Sequence, residues 1–255
     1  MIESNRIVQG FWQGDFTTME RLCVKSFMYW GHTFELFCYE KPKGVPDGVV
    51  LRDAAEILPR EEMATFRCAQ QFSDYFRIKM LLKNGGWNSD LDNCLIKSLD
   101  FPESMCFYRD YDESTMSLAL AKAPAGAPFL QHCADYIESL SLEERARLSW
   151  QEIGTELVLG AIEYFKLTSH AKSGRTFDPV QWQRVHELVD PAAEFDLSES
   201  YSVHLFHAAW NKGPEDRTGK GFDLGHRPGL QLDTDGEYPE GCLYEKLKRR
   251  YDAKA

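Results

Sequence analysis

The first fifty residues switch between the two hydrophobic periods of regular structure. Arg6 to Trp12 (RIVQGFW) is a short, mostly apolar run of the kind that forms a buried strand. Thr17-x-x-Glu20 is a capping box, and the following TMERLCVKSFMYWG carries apolar residues at helical spacing until a stop near Gly31. Thr33 to Tyr39 (TFELFCY) alternates like a second strand, Lys41 to Gly48 is a Pro/Gly loop, and Val49–Leu51 is a short third strand. This β-α-β opening predicts a mostly parallel sheet covered by helices. Ligands of such sheets lie outside the carboxyl ends of the strands, and Trp12, Asp15 and Asp53 fall just past predicted ends.

The pattern continues with a helix N-capped by Ser73, with Asp74 in its first turn. Phe72, Tyr75, Phe76, Ile78, Met80, Leu81 and Leu82 make it too apolar for full exposure, and Asn84-Gly85-Gly86 stops it. A short extended run follows, ending in Asp90-x-Asp92. Strands are expected at Cys94–Leu99, Met105–Tyr108 and Ser117–Ala121, and helices at Pro128–Leu140 and Glu152–Leu167. Phe177–Trp182 is an irregular aromatic stretch, and Tyr201–Trp210 (YSVHLFHAAW) reads as a late strand. Gly213 to Glu240 is loop by composition, and Leu243–Tyr251 is a basic terminal helix. The expected organisation is one domain over residues 1–212 and a loop-rich extension over 213–255.

Composition narrows the function. Hydrophobic residues make up 43% of the 255, enough for a large core, so global disorder is excluded. Lys plus Arg number 29 against 40 Asp plus Glu, a net charge of −11, which argues against a nucleic-acid partner. No apolar run reaches the roughly 18–20 residues that cross a bilayer. Seven scattered cysteines with no C-x-x-C pair suit a reduced, cytoplasmic protein rather than a zinc knuckle. The basic LKRRY segment is the one feature suited to peripheral contact with an anionic inner-membrane surface. Oligomeric state is not legible.

The chemistry concentrates between Ser73 and Asp92. In extended backbone, side chains at i and i+2 share a face, so Asp90 and Asp92 could hold one hard cation between them. Such a cation is bound through one or two carboxylates plus substrate phosphates. Asp74 and Arg77 are i,i+3 neighbours, a pair that by itself is only a helix ion pair. The sequence contains no phosphate-binding G-x-x-x-x-G-K-[ST], no G-x-S-x-G elbow and no H-E-x-x-H.

Taken together, Ser73, Asp74, Arg77, Leu81, Gly85, Gly86, Asp90 and Asp92 match S-D-x-x-R-x-x-x-L-x-x-x-G-G-x-x-x-D-x-D. That pattern resembles the D-x-D sugar transferases of the GT-A fold, most closely capsular-polysaccharide-type enzymes related to glycosyltransferase family 32. IVQGFWQG resembles the family's opening, and HLFHAAW its H-x-x-x-x-x-W close. In WQEIGTELVLGAI, Thr155 stands where proline is common. The likeness covers roughly residues 5 to 212.

The resemblance implies an α/β, GT-A-like single domain with a Rossmann-like N-terminal half and a mixed central sheet. It implies transfer of a hexose from a nucleotide-diphosphate sugar, UDP-linked, to a glycan or lipid-linked saccharide, with retention. It implies Mn²⁺ or Mg²⁺ as cofactor, with Asp92 as the direct ligand and Asp90 toward the ribose and donor sugar. Asp74 and Arg77 correspond to a pair that hydrogen-bonds the donor sugar. Trp12 corresponds to an aromatic beside the base, with a core tryptophan as the alternative. Trp210 would close over the diphosphate. His207 would complete the metal shell, although relatives often carry Asn there. Residues 204 and 207 of a strand face opposite ways, so one histidine at most is expected at the site. A metal-dependent nucleotide or phosphoester hydrolase, and a non-catalytic sugar-nucleotide binder, are the competing readings.

Overall fold

The computed structural model describes residues 1–111, 113–211 and 232–253. The chain opens with β1 (Ile7–Phe11), α1 (Thr18–Tyr29), β2 (Thr33–Cys38) and β3 (Val50–Asp53). Then come α2 (Ala69–Asn84), β4 (Gly86–Ser89), β5 (Asn93–Leu95), β6 (Cys106–Arg109) and β7 (Met116–Ala123). Helices α3 (Pro128–Ser139), α4 (Leu142–Arg147), α5 (Trp150–Ile153) and α6 (Thr155–Tyr164) lead to β8 (Ala171–Lys172). The remainder is α7 (Gly174–Phe177), β9 (Ser202–His204), α8 (His207–Asn211) and α9 (Leu243–Arg250).

The main sheet runs β3-β2-β1-β4-β7-β6-β8, and β5 pairs with β9 in a separate ribbon. Strands β3, β2, β1 and β4 are mutually parallel, β7 is antiparallel to β4 and β6, and β8 is parallel to β6. The expected α/β class, with a Rossmann-like N-terminal half and a mixed central sheet, is therefore the architecture found. The chain leaves β1 toward β2 on one side and later returns to place β4 on the other. The carboxyl ends of β1 and β4 thus flank the point where strand order reverses, which is where ligands bind in open α/β sheets.

Helices α2, α3 and α6 supply one side of the core. Phe37 of β2 is buried with Phe76 and Leu81 of α2, Leu130 of α3 and Ile162 of α6. On the other face, Val24 and Phe27 of α1 pack with Val8, Phe34, Leu36 and Trp87. A third cluster joins Met19 and Leu22 of α1 to Val203, Trp210, Tyr244, Leu247 and Tyr251. The C-terminal segment is tied to α1 by polar contacts too: Asp235 Oδ1 accepts from Thr18 N at 2.7 Å and Thr18 Oγ1 at 2.8 Å. No helix among the described residues is long and apolar enough to cross a membrane.

Local chemistry explains most boundaries. Thr17 caps α1 through the reciprocal contact with Glu20 that the sequence suggests. Gly85 ends α2 at φ 64°, with its N–H on Leu81 O at 2.8 Å. Three expectations need correction. Ser73 is not the cap of α2: the helix begins a turn earlier, because Gln71 reaches back to accept from Arg67 N (3.0 Å) and donates to Leu148 O (2.9 Å). The helix expected over Glu152–Leu167 is broken at Gly154 (φ −100°, ψ −110°) into α5 and α6. The strand expected over Tyr201–Trp210 stops at His204, turns at Phe206 (φ 54°) and becomes α8. The loop expected from Gly213 to Glu240 lies largely outside the described residues; its described part, from 232, carries no helix or strand.

At the amino end of the sheet, Asn5 is a buried hub. Its Oδ1 accepts from Trp87 Nε1 (3.0 Å) and Lys122 Nζ (2.6 Å), and its Nδ2 donates to Phe101 O (2.9 Å). His32 Nδ1 lies 2.8 Å from Asn5 O, and Leu99 N donates to His32 Nε2 at 3.1 Å. An imidazole that donates at one nitrogen and accepts at the other is neutral.

Two stability predictions follow from these contacts. A Cβ at Gly10 would meet Ser89 O at 2.8 Å and Leu91 Cδ1 at 2.9 Å, so Gly10→Ala should cost about 1–3 kcal/mol in chemical denaturation. Burial holds the His32 pKa below its ordinary value, against the pull of the Asn5 carbonyl and Asp100. The unfolded imidazole therefore protonates first. Stability should be full above about pH 6.5 and fall as pH drops below it. In urea melts from pH 8 to 5, His32→Gln should be less stable throughout but show a shallower acid-side decline than wild type.

Candidate functional site

Asp90 and Asp92 lie in the turn joining β4 to β5, immediately beyond the carboxyl end of β4. The extended geometry assumed for the pair therefore does not apply. The turn sends the two carboxylates to different partners. Asp90 Oδ2 accepts from Arg77 Nη2 at 2.7 Å, and Arg77 Nη1 is 3.2 Å from Asp74 Oδ1. Helix α2 thus presents one guanidinium, 13% exposed, between two carboxylates. The planar fork of arginine suits that bridging role.

Asp92 is held from the other side. His204 Nε2 lies 3.2 Å from Asp92 Oδ1, and His207 N donates to Asp92 Oδ2 at 3.0 Å. Its backbone carbonyl also accepts from Leu205 N at 2.8 Å. The register explains how a residue more than a hundred positions away arrives there. β5 and β9 pair Asn93 with His204, so the imidazole stands beside the D-x-D turn. The carboxylate then receives the first free N–H of α8, much as an N-cap side chain would. Because the chain turns into a helix after Phe206, His204 and His207 both approach Asp92. The opposite-face expectation fails with the strand on which it rested.

His207 contributes differently from what its assignment as a metal ligand implies. Its backbone serves Asp92, while its ring Nε2 is 3.5 Å from Oε1 of Glu20, which is fully buried. The ring also lies edge-on to Trp12, centroids 5.5 Å apart. Trp12 sits past β1 at the strand-order reversal, half-buried, and its buried Nε1 has no hydrogen-bond partner among the described residues. Trp210 is not at the cleft. It is 1% exposed, packs against Tyr244 with centroids 4.7 Å apart, and donates its Nε1–H to Leu205 O at 2.7 Å.

Environment separates the two acidic groups. Burial pushes the Asp90 carboxyl up to about 7; Arg77 opposes this, while Asp92 and Asp74 add to it. Burial acts on Asp92 as well, but the charge and hydrogen bond of His204, with the contribution of His207, overcome it and leave Asp92 at about 2. His204 is raised to about 9 against its own burial, chiefly by Asp92. The site rests as a carboxylate–imidazolium pair beside a carboxyl poised near neutrality.

Four participants had weak or absent sequence signals. Glu20 reads as a capping residue, and nothing in the chain shows that its second oxygen meets His207. His204 is one of two histidines of which strand geometry allows one at the site, and the sequence leaves open which. Asp178, just past α7, is 5% exposed, its Oδ1 lacks a hydrogen-bond partner among the described residues, and burial raises its carboxyl to about 7. Tyr108 of β6 is 1% exposed, and its hydroxyl has no hydrogen-bond partner among the described residues. Topology alone brings the last two to the site.

No protein-family model matches the chain, and no curated protein does. Among solved structures the chain is similar to one described as "PaToxG Glycosyltransferase". The two are 12% identical over 64% of this chain and 70% of that one, with a TM-score of 0.47. A likeness at this level leaves the chemistry to be argued from the site itself.

The Arg77 bridge makes a direct prediction. Arg77→Met should strand Asp74 and Asp90 as unpaired, largely buried carboxylates and destabilise the protein by about 3–5 kcal/mol. The loss should be larger at pH 8 than at pH 5, because without Arg77 the folded Asp90 carboxyl rises further above its unfolded value, and a carboxyl raised on folding costs stability increasingly as pH climbs past that unfolded value. Guanidinium melts at the two pH values check both the size and the sign.

Proposed function

We propose that this chain is a metal-dependent glycosyltransferase that moves a hexose from a UDP-linked donor to a hydroxyl of a glycan or lipid-linked saccharide, with retention. The observation that carries the reading is the division of labour at the D-x-D turn. Asp92 is kept ionised beside His204 at the strand-order reversal, while Asp90 is tied through Arg77 to Asp74.

Among the described residues no three His, Cys, Asp or Glu side chains are arranged as a complete metal cage. Asp92 Oδ1 and His204 Nε2, 3.2 Å apart, nevertheless fit an ion that keeps water and substrate oxygens in its shell. Asp92, together with His204 once its imidazolium gives up a proton, would hold Mn²⁺ or Mg²⁺, which supplies Lewis-acid neutralisation of the departing diphosphate. His204 takes the place given to His207 by the resemblance, because the ring of His207 is engaged by Glu20.

The protein's own groups position the donor. Trp12, whose indole N–H has no partner among the described residues, would stack against the base. Arg77 and Asp74 offer fixed donors and acceptors to sugar hydroxyls. In the transfer, the anomeric C–O bond to the diphosphate breaks and a bond to the acceptor oxygen forms. The acceptor proton passes to a leaving phosphate oxygen, so no side chain is assigned as base. The buried guanidinium stabilises negative charge more strongly than a solvated one would.

Calorimetric titration of UDP should show binding with Mn²⁺ that EDTA abolishes and that Asp92→Asn weakens by at least about tenfold, about 1.4 kcal/mol. Product analysis separates the alternatives. A transferase releases UDP faster when acceptor is added; phosphate or UMP formed regardless of acceptor would point to a hydrolase, and binding without turnover to a non-catalytic relative.

A further inference from the structure

Asp74 and Arg77 also line a cavity of about 20 Å³, together with Ile78, Leu118, Gly154 and Thr155 among others. That is room for about one water-sized group. Two polar atoms of this lining, Arg77 Nε and Thr155 Oγ1, are buried without hydrogen-bond partners among the described residues. Buried polar groups are rarely left unpaired, because each orphan costs about 1–3 kcal/mol. Two on one wall of a small cavity, with the Asp74 carboxylate beside them, mark a place for a small polar group. Thr155 stands there because Gly154 breaks the helix, so the hydroxyl opens α6 at the cavity instead of lying along a continuous helix.

We infer that this notch receives one hydroxyl of the donor sugar, and that Thr155 is a specificity-determining residue that reads it. The inference rests on the donor-site reading above and extends it to a residue outside the D-x-D and Ser-Asp-x-x-Arg patterns. The chemistry matches in both directions: a sugar hydroxyl accepts from Arg77 Nε and donates to Asp74 or Thr155 Oγ1. A threonine hydroxyl can serve as donor or acceptor. A volume of about 20 Å³ suits a hydroxyl better than an acetamido group, so the expected sugar carries a bare hydroxyl at the position that enters.

The test compares kcat/KM for UDP-glucose and UDP-galactose with their 2-, 3-, 4- and 6-deoxy counterparts. Wild type should lose roughly 10–100-fold on removal of the hydroxyl at one ring position. Thr155→Val, which removes the hydroxyl and keeps the shape, should lose a similar factor with the intact donor and under about threefold more with that deoxy donor. Thr155→Ser should restore the preference, and Thr155→Ala repeats the removal with a different shape. Thermal melts establish that each variant folds. Equal losses in Thr155→Val across intact and all deoxy donors would overturn the notch alone, with water its sole occupant. Failure of wild type to bind or turn over any UDP-hexose with Mn²⁺ would overturn the donor reading, and the notch with it.

Discussion

The structure depends on keeping several carboxylates largely out of water at one end of a parallel sheet. Asp74, Asp90, Asp92, Asp178 and Glu20 all crowd there, and ionised carboxylates in such a setting are costly unless paired. The cationic partners come from separate parts of the chain. Arg77 arrives on α2, and His204 arrives on β9. The carboxylate of Asp92 is the tie, because it binds the imidazole of His204 and also starts α8 through the N–H of His207.

That tie organises the C-terminal third. Once β9 is paired beside the D-x-D turn, α8 must begin at Asp92, and Trp210 is carried into the core against Tyr244. The segment from Leu232 onward then closes over the flank of α1, with Leu232, Tyr244, Leu247 and Tyr251 buried against it. A contact that looks purely local to the site therefore fixes the packing of a helix near the end of the chain. At position 10 of β1 a Cβ would crowd Ser89 O at 2.8 Å and Leu91 Cδ1 at 2.9 Å, so glycine eases the packing of β1 against the start of the acidic turn.

The same environment gives two neighbouring aspartates opposite characters. Asp92 has a cationic imidazole against it and stays ionised; Asp90 shares the Arg77 guanidinium with Asp74, and burial pushes its carboxyl up to about 7. Two residues one position apart thus differ because the turn points them at different elements. In the proposed transfer this separates an ionised group that can meet a metal from a carboxyl that can both accept and donate toward hydroxyls.

Much of this fold is written locally. The capping box at Thr17 and Glu20, the glycine stop at Gly85 and the alternation from Thr33 to Cys38 are short-range signals, and they fixed α1, the end of α2 and β2. The spacing of Asp74, Arg77, Asp90 and Asp92 was also legible, and the structure joins Asp74, Arg77 and Asp90 in one bridge, because a helix followed by a tight glycine turn and a strand leaves little freedom between them. What tertiary structure decided was everything that depends on a partner far away in sequence. The alternating residues of Tyr201–Trp210 favoured a strand, and the side chain of Asp92 overrode them by capping a helix. Trp210 carried an aromatic suited to a ligand, and long-range packing gave it to the core. Tyr108 and Asp178 have no pattern among their neighbours that marks them, while the capping box marks Glu20 only as a helix start and Thr155 shows only as a departure from proline. Their chemistry comes from burial and from the orphaned atoms that burial creates, and neither exists until the sheet has assembled.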